Sequence, residues 1–376
     1  MTLKHIATIS EIPAQEWDAL VGPSAFGSHG WLATVEATLR APGRPLYITA
    51  GDSAGLAGAI PCRVVDSGPH FGFDGVIFNR LAPLAAWLGM STMPALECGT
   101  DAGLAKPVYV RHGIPIAEEE AILHLLVGEA ERIAGERNWT LAFRNVAEDE
   151  LALANVFQER GYLRTREAPT TCLELPWSSF SEYRAHLKKT HPRMYKNVSR
   201  ERNLAKRNGM QIVLAEDPAS YGSQLQLLME LHYMRVGRRP FPFKPGFFEK
   251  LKSEMGERAD VAVAVIQGEA VGVALRLKSG DVLHVPMVGI DPVRGRAAAA
   301  YFNLVYNDSI DYAIRAGFRR LVLGRTNYGL KIRRGCRLLT VNMYVAPRSG
   351  YQRRVLACFL PVRSRLMDHK HAVRSK

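Results

Sequence analysis

In the run "GIDPVRGRAAAAYFNLVYNDSIDYAIRAGF", Arg294 and Arg296 flank Gly295 and lead into Ala297, Ala298, Ala299 and Ala300. A helix starting here would present unpaired N–H groups and the positive end of its dipole, and two guanidinium forks beside it suit a phosphate. Cations at a helix start oppose the dipole, which tilts the reading toward a bound anion. Alanines chosen for close contact with a sheet are the other reading. A second polar set lies in "GRTNYGLKIRRGC", where Asn327 and Tyr328 follow an apolar run and precede Lys331, Arg333 and Arg334. A tyrosine at such a strand end would donate a proton to a leaving group; a basic surface loop turning at Gly329 is the alternative. In "VLHVPMVGI", strand alternation puts His284 and Val285 on opposite faces. Imidazole titrates where a proton can be taken from an amine near neutrality. A histidine satisfied within the sheet competes with that role, and Asp291 and Asp311 are further candidate bases, Asp291 before Pro292 reading as a turn residue.

Cations gather elsewhere too. The stretch "SEYRAHLKKTHPRMYKNVSRERNLAKRNG" carries Lys188, Lys189, Arg193, Lys196 and Arg200 among others, against Glu182 and Glu201. Lys/Arg density with few acids is the footprint of a polyanion such as tRNA, a nucleotide-sugar or an acyl carrier protein, and equally of a solvated helix face. Arg238 and Arg239 open "GRRPFPFKPGFFEKL", which reads either as an aromatic, basic loop over a substrate or as a connector that buries its phenylalanines.

Positioning these groups requires a substantial scaffold. The 376 residues exceed what one core fills, so two domains are expected. An apolar fraction of 47% with 23% charged residues is that of an ordinary globular protein, and the net charge of +13 favours an anionic partner. The opening "MTLKHIATISEIPAQEWDAL" lacks the apolar core of a signal peptide, and no run of about 18 apolar residues spans a bilayer. A cytoplasmic protein without stable membrane insertion is expected. Five scattered cysteines suit neither a disulfide framework nor a metal site, so buried reduced thiols and no metal are expected.

Two halves show one order of events. "PLYITAGDSAGLAGAIPCRVV", the helix-patterned "EEEAILHLLVGEAERIAGERNW" and the strand "WTLAFRNV" are matched later by the meander "DVAVAVIQGEAVGVALRLKSGDVLHVPMVGI", the helix "AAYFNLVYNDSIDYAIRAG" and "FRRLVLGR". The pairing of "IAGERNWTLAFRN" with "IRAGFRRLVLGRTN" suggests one α/β unit used twice. Each would be a mixed, largely antiparallel sheet flanked by helices. Pro192 should split the basic join into two helices, capped by Ser179 or Ser181 and ended by Gly209.

The pattern resembles the Fem family of aminoacyl transferases and the related BioF2-like acetyltransferases, which carry two GNAT folds in one chain. The resemblance covers most of residues 40 to 346 and rests on "HLKKTHPRMYKNVSRERNLAKRNGMQIV", "LLMELHYMRVGRRPFPFKPGFFEKL" and "LGRTNYGLKIRRGCRLLTVNMYV". It implies an N-terminal GNAT-like domain at 1–176, a basic linker helix region at 177–210, a donor-binding GNAT-like domain at 211–350, and a basic C-terminal helix and tail at 351–376. It also implies that Lys331 neutralises a phosphate or oxyanion, with Asn327 beside the donor. The GNAT pyrophosphate motif fits with Arg294 leading, Ala297 where glycine is usual and Ala299 closing, a departure that weakens the match to coenzyme A. The function implied is acyl transfer to an amine acceptor, with acyl-CoA, acetyl-CoA foremost, as co-substrate. Aminoacyl-tRNA is the alternative donor, and a non-catalytic polyanion-binding module is the alternative of another class.

Overall fold

Short turns decide how the apolar runs pair. Only Gln267 and Gly268 separate Ile266 from Glu269, both at positive φ (52° and 82°), the backbone of a two-residue hairpin turn whose twist matches its strands. The computed structural model of the protein describes residues 1–40, 43–66, 73–78, 81–99, 103–237 and 239–375. Arg238 lies outside the described residues.

In chain order the strands are β1 (Thr2–Ile6), β2 (Arg44–Asp52), β3 (Gly55–Val65), β4 (Ala95–Cys98), β5 (Tyr109–Val110), β6 (Thr140–Ala147), β7 (Leu163–Arg166), β8 (Thr170–Glu174), β9 (Gln211–Leu214), β10 (Ala259–Ile266), β11 (Glu269–Ser279), β12 (Val282–Ile290), β13 (Arg320–Val322), β14 (Arg337–Leu339) and β15 (Val341–Ala346). They form two sheets of one plan. The first runs β1-β2-β3-β4-β6-β15-β7, with β5 beside β3, and the second β9-β10-β11-β12-β13-β8-β14. In each, the fourth and fifth strands are parallel, β4 with β6 and β12 with β13, and the other pairs along the order are antiparallel. The repeat expected from "IAGERNWTLAFRN" and "IRAGFRRLVLGRTN" is therefore present, because these segments lead into the equivalent strands β6 and β13. Both units are mixed sheets flanked by helices.

The sixth strand of each sheet comes from the other half. β15 sits between β6 and β7, and β8 sits between β13 and β14. Boundaries at 1–176 and 211–350 thus cut across both sheets: local pattern marks a strand but not its partner. Residues 1–176 and 211–376 expressed apart should each lack a strand that is paired on both sides, leaving rows of backbone N–H and C=O groups unmet. Circular dichroism and thermal melts should find each fragment unfolded or aggregated alone, and a cooperative transition only when both are present.

Helix Ile116–Glu136 covers the first sheet with Ile122, Leu126 and Val127, joined by Phe157. Helices Phe180–Thr190 and Pro192–Arg207 cover the second, split at His191 as Pro192 demands, with the Ser179 hydroxyl accepting from the Glu182 N–H and Gly209 at φ 63° beyond the end. Between the sheets one core draws on both halves, Trp17, Phe26 and Trp31 meeting Phe243, Phe247 and Leu275. The Pro/Phe segment therefore buries its rings, Phe243 and Phe247 stacking at 4.2 Å. The C-terminal helix Gly350–Ser375 lies on the first sheet, with Leu356 and Leu360 against Met343 and Val345 of β15. Cys62, Cys98, Cys172 and Cys336 are buried free thiols; Cys358, on that helix, is exposed.

Candidate active site at the strand splay

β12 and β13 stay parallel only from Val282↔Arg320 to His284↔Val322. Beyond that point β12 bulges: Leu277 pairs with His284 and Leu275 with Met287, so Val285 and Pro286 together oppose Arg276. Proline, with no N–H to give the ladder, is at home in a bulge, and the extra residue brings His284 and Met287 to one side. β13 turns away at Gly324, φ 73°, a conformation that glycine adopts without a Cβ penalty. The strands part, and a cleft of about 310 Å³ opens between them, lined by His284, Pro286, Met287, Val322, Gly324 and Arg325. Phe26, Leu39 and Leu104 from the first half, with Tyr233, Arg239 and Pro242 from the second, close its other walls.

A wider cleft of about 900 Å³ carries Lys106, Glu119, Asp149, Glu150, Asp281 and Arg320. Phe26, Leu104 and His284 line both clefts, so they form the partition between them. Burial, with Arg320 adding positive charge nearby, pulls the pKa of His284 down to about 4. Its ring meets the edge of Phe26 at 5.1 Å, and its Nδ1, buried, has no hydrogen-bond partner among the described residues. A neutral imidazole with an unengaged nitrogen between two clefts is placed to accept a proton from a group that crosses them.

Other expected site residues are committed elsewhere. Lys331 is buried, and its ammonium donates to the Leu323 and Gly324 carbonyls, the latter at 3.2 Å; burial lowers its pKa to about 8. Tyr328, also buried, donates its hydroxyl to the Pro169 carbonyl at 2.9 Å. Lys331 braces the end of β13 beside the cleft, and Tyr328 ties its short helix to the segment that enters β8. Asn327 starts their short helix at φ 53° and donates to the Tyr301 hydroxyl at 3.2 Å.

The expected phosphate cradle is filled from within. One carboxylate oxygen of Asp291, the turn residue, accepts from the N–H groups of Val293 (2.8 Å), Arg294 (2.6 Å) and Gly295 (3.4 Å). The side chain of Arg294 pairs with Glu269 and donates to the Ile266 carbonyl. A Cβ on Gly295 would lie 2.4 Å from the Val271 carbonyl oxygen, so the close approach to β11 already requires glycine here. Ala299 sits at φ 55°, breaking the expected helix after Arg294–Ala297; Ala297 and Arg296 are exposed. A pyrophosphate here would meet a carboxylate that already holds the donors it needs.

Of the residues missed in the sequence, Arg325 lines the cleft and the others hold it in place. Arg325 donates to Glu167 (3.2 Å) and to Asn145 (2.6 Å), and Arg144 donates to Glu167 at 2.9 Å. Burial alone would raise the pKa of Glu167, but Arg144, Arg325 and the Asn145 N–H hold it below the usual range. Arg144 and Arg325 fall one place apart in the two repeated segments, "LAFRN" and "LGRTN", which was the available signal.

The basic helix turns Met194, Val198 and Glu201 inward. Both carboxylate oxygens of Glu201 accept from one guanidinium nitrogen of the fully buried Arg334 (2.7 and 2.8 Å), and that guanidinium lies 4.3 Å from the Tyr306 ring centre. Asn303 and Asn307 complete this node from a π-helical stretch, Asn303–Asn307. Lys188, Lys189, Arg193, Lys196 and Arg200 stay exposed, and among the described residues none of them is paired with a carboxylate. Arg239 lies at the cleft, apart from that helix.

Three solved structures share the overall shape. The C-terminal domain of a putative lysylphosphatidylglycerol synthetase from Agrobacterium fabrum has 10% identity and a TM-score of 0.57, over 94% of this chain and 97% of that one. FemX has 11% identity and a TM-score of 0.57, over 92% and 97%. The L-PGS structure from Bacillus licheniformis has 13% identity and a TM-score of 0.53, over 97% and 99%. No curated protein sequence matches the chain. At such identities the likeness concerns the fold alone. A family model described as peptidoglycan biosynthesis/recognition, FemAB-like, matches residues 8–373. The chain belongs to this FemAB-like family.

Proposed function

We propose that this protein transfers an aminoacyl group from a tRNA to an amine of a peptidoglycan precursor, the reaction taking place where the two clefts meet at His284. The observation that carries the reading is the partition itself: a neutral imidazole between a smaller, largely apolar cleft and a wider one that charged side chains line. An amine entering from the polar side attacks the ester carbonyl, a C–N bond forms and the C–O bond to the ribose breaks. His284 takes the proton from the attacking nitrogen and returns it to the departing ribose oxygen. Effective concentration across the partition supplies much of the rest.

The choice of donor rests on charge. Asp291 occupies the N–H groups that a coenzyme A pyrophosphate would use, while the exposed face of helix Pro192–Arg207 presents Lys196, Arg200 and Arg207, which pair with no carboxylate among the described residues. A polyanionic donor suits the second feature and does not need the first. Substituting Lys196, Arg200 and Arg207 together by glutamine should raise the Kd for tRNA about tenfold or more near physiological salt and flatten its salt dependence by two to three counterions. Filter binding across a salt series measures both. Thermal unfolding compares the donors: charged tRNA should raise the midpoint, and acetyl-CoA, the donor first expected from the sequence, should leave it unmoved. A shift with acetyl-CoA that Arg294→Ala/Arg296→Ala removes would transfer the reading to acyl-CoA.

A further inference from the structure

Away from the clefts, the short helix Ala82–Trp87 turns Ala85 inward toward Leu356 and Leu360 of the C-terminal helix. Its outer side is bare: Leu81, Leu84, Trp87 and Leu88 are 54%, 51%, 81% and 44% exposed. Tyr351 joins the two helices, its hydroxyl donating to the Leu88 carbonyl at 3.3 Å, and is itself 58% exposed. Eleven residues on, which brings the helix back to the same stripe, Val362 is 55% exposed. Single exposed apolar residues are ordinary, but a contiguous set with a tryptophan and a tyrosine is not.

The two segments that carry the patch hold charge of one sign. The stretch "APLAAW" holds no charged residue, and "GYQRRVLACFLPVRSRL" holds arginines and no acid. Arg354 and Arg365 are exposed along the edge of the Tyr351–Val362 stripe and, among the described residues, pair with no carboxylate. A bulky apolar centre, aromatic rings with polar tips and a cationic rim are the features of a surface that lies in the headgroup region of an anionic bilayer. Among the described residues no helix is long and apolar enough to cross a membrane, so contact would be from one side. We propose that this two-helix face docks the protein on an anionic membrane surface. The proposal is independent of the donor and of His284.

Sedimentation of the full chain with vesicles tests it, comparing phosphatidylcholine alone with phosphatidylcholine containing phosphatidylglycerol. The wild type should bind the anionic vesicles and not the neutral ones. Leu84→Ser/Trp87→Ser should weaken binding by about tenfold or more, and Arg354→Gln/Arg365→Gln should weaken it and reduce its salt sensitivity. Lys196→Gln/Arg200→Gln/Arg207→Gln should bind as the wild type does. All substitutions are at exposed positions, and unchanged melting midpoints confirm that the variants fold. No binding by the wild type overturns the proposal, as does undiminished binding by the Leu84/Trp87 variant. Transfer of the loss to the Lys196 variant assigns binding to the other basic face and also overturns it. Sedimentation velocity supplies the last arm: self-association abolished by Leu84→Ser/Trp87→Ser, with no vesicle binding, would make the patch a contact between copies.

Discussion

His284→Asn should lower single-turnover transfer by about 10²- to 10⁴-fold while leaving donor affinity unchanged, the loss expected when a positioned general base is removed from the transition state alone. Asparagine keeps a polar, similarly sized side chain beside Phe26, so the partition should stay in place. The same variant has a signature that does not depend on activity. Burial depresses the pKa of His284 to about 4 from an ordinary 6.5, so between those values the unfolded chain binds more protons than the folded one. The associated stability is fully present above about pH 6.5 and is lost as pH falls through the folded value near 4, on the order of 3 kcal/mol in all. His232 is also pulled down to about 4, by burial and then Arg235, so the wild type should lose stability through this window from two groups. His284→Asn should remove one of these, flattening the fall of the denaturation midpoint between about pH 6.5 and 4. An unchanged acid limb would mean that His284 is not held neutral.

The second large effect is on stability. Glu201→Gln or Arg334→Met alone should destabilise the fold by about 3–5 kcal/mol, because each leaves an uncompensated charge or its broken hydrogen bonds buried against Tyr306 and Asn307. The pair Glu201→Leu/Arg334→Met should recover much of the loss, since desolvating two ions costs nearly as much as their attraction returns. Equilibrium denaturation of the three variants measures this. It also decides whether the node holds the basic helix: with the node broken, tRNA affinity should fall although no exposed cation has changed.

Much of the fold was legible because it depends on local pattern. The turn at Gln267–Gly268, the break at Pro192 and the repeated helix-to-strand junctions each follow from nearby residues, and they carry the two-unit plan. The exchange of β8 and β15 was not legible, because a strand's alternation specifies its faces and not its neighbour. The site was read less well, for a related reason. Lys331, Tyr328 and Arg294 have the right chemistry for an open site, but whether a polar group faces a ligand or a backbone carbonyl is set by tertiary contacts. Asp291 illustrates this: its place before a proline marked a turn, and that turn consumes the N–H groups offered to a phosphate. His284 was one candidate among several until the bulge at Val285–Pro286 and the first half's Phe26 put it between two clefts. Arg325 and Glu167 come from different halves and meet only through the exchanged strands.

The most direct test of the central claim is single-turnover transfer of a labelled aminoacyl group from tRNA to a peptidoglycan-precursor amine, run with the wild type, His284→Asn and Lys196→Gln/Arg200→Gln/Arg207→Gln. The predicted result is a separation: His284→Asn loses the rate at saturating donor and keeps its affinity, and the triple variant loses affinity and keeps the rate. Transfer by His284→Asn at the wild-type rate would contradict the assignment of chemistry to the partition between the clefts.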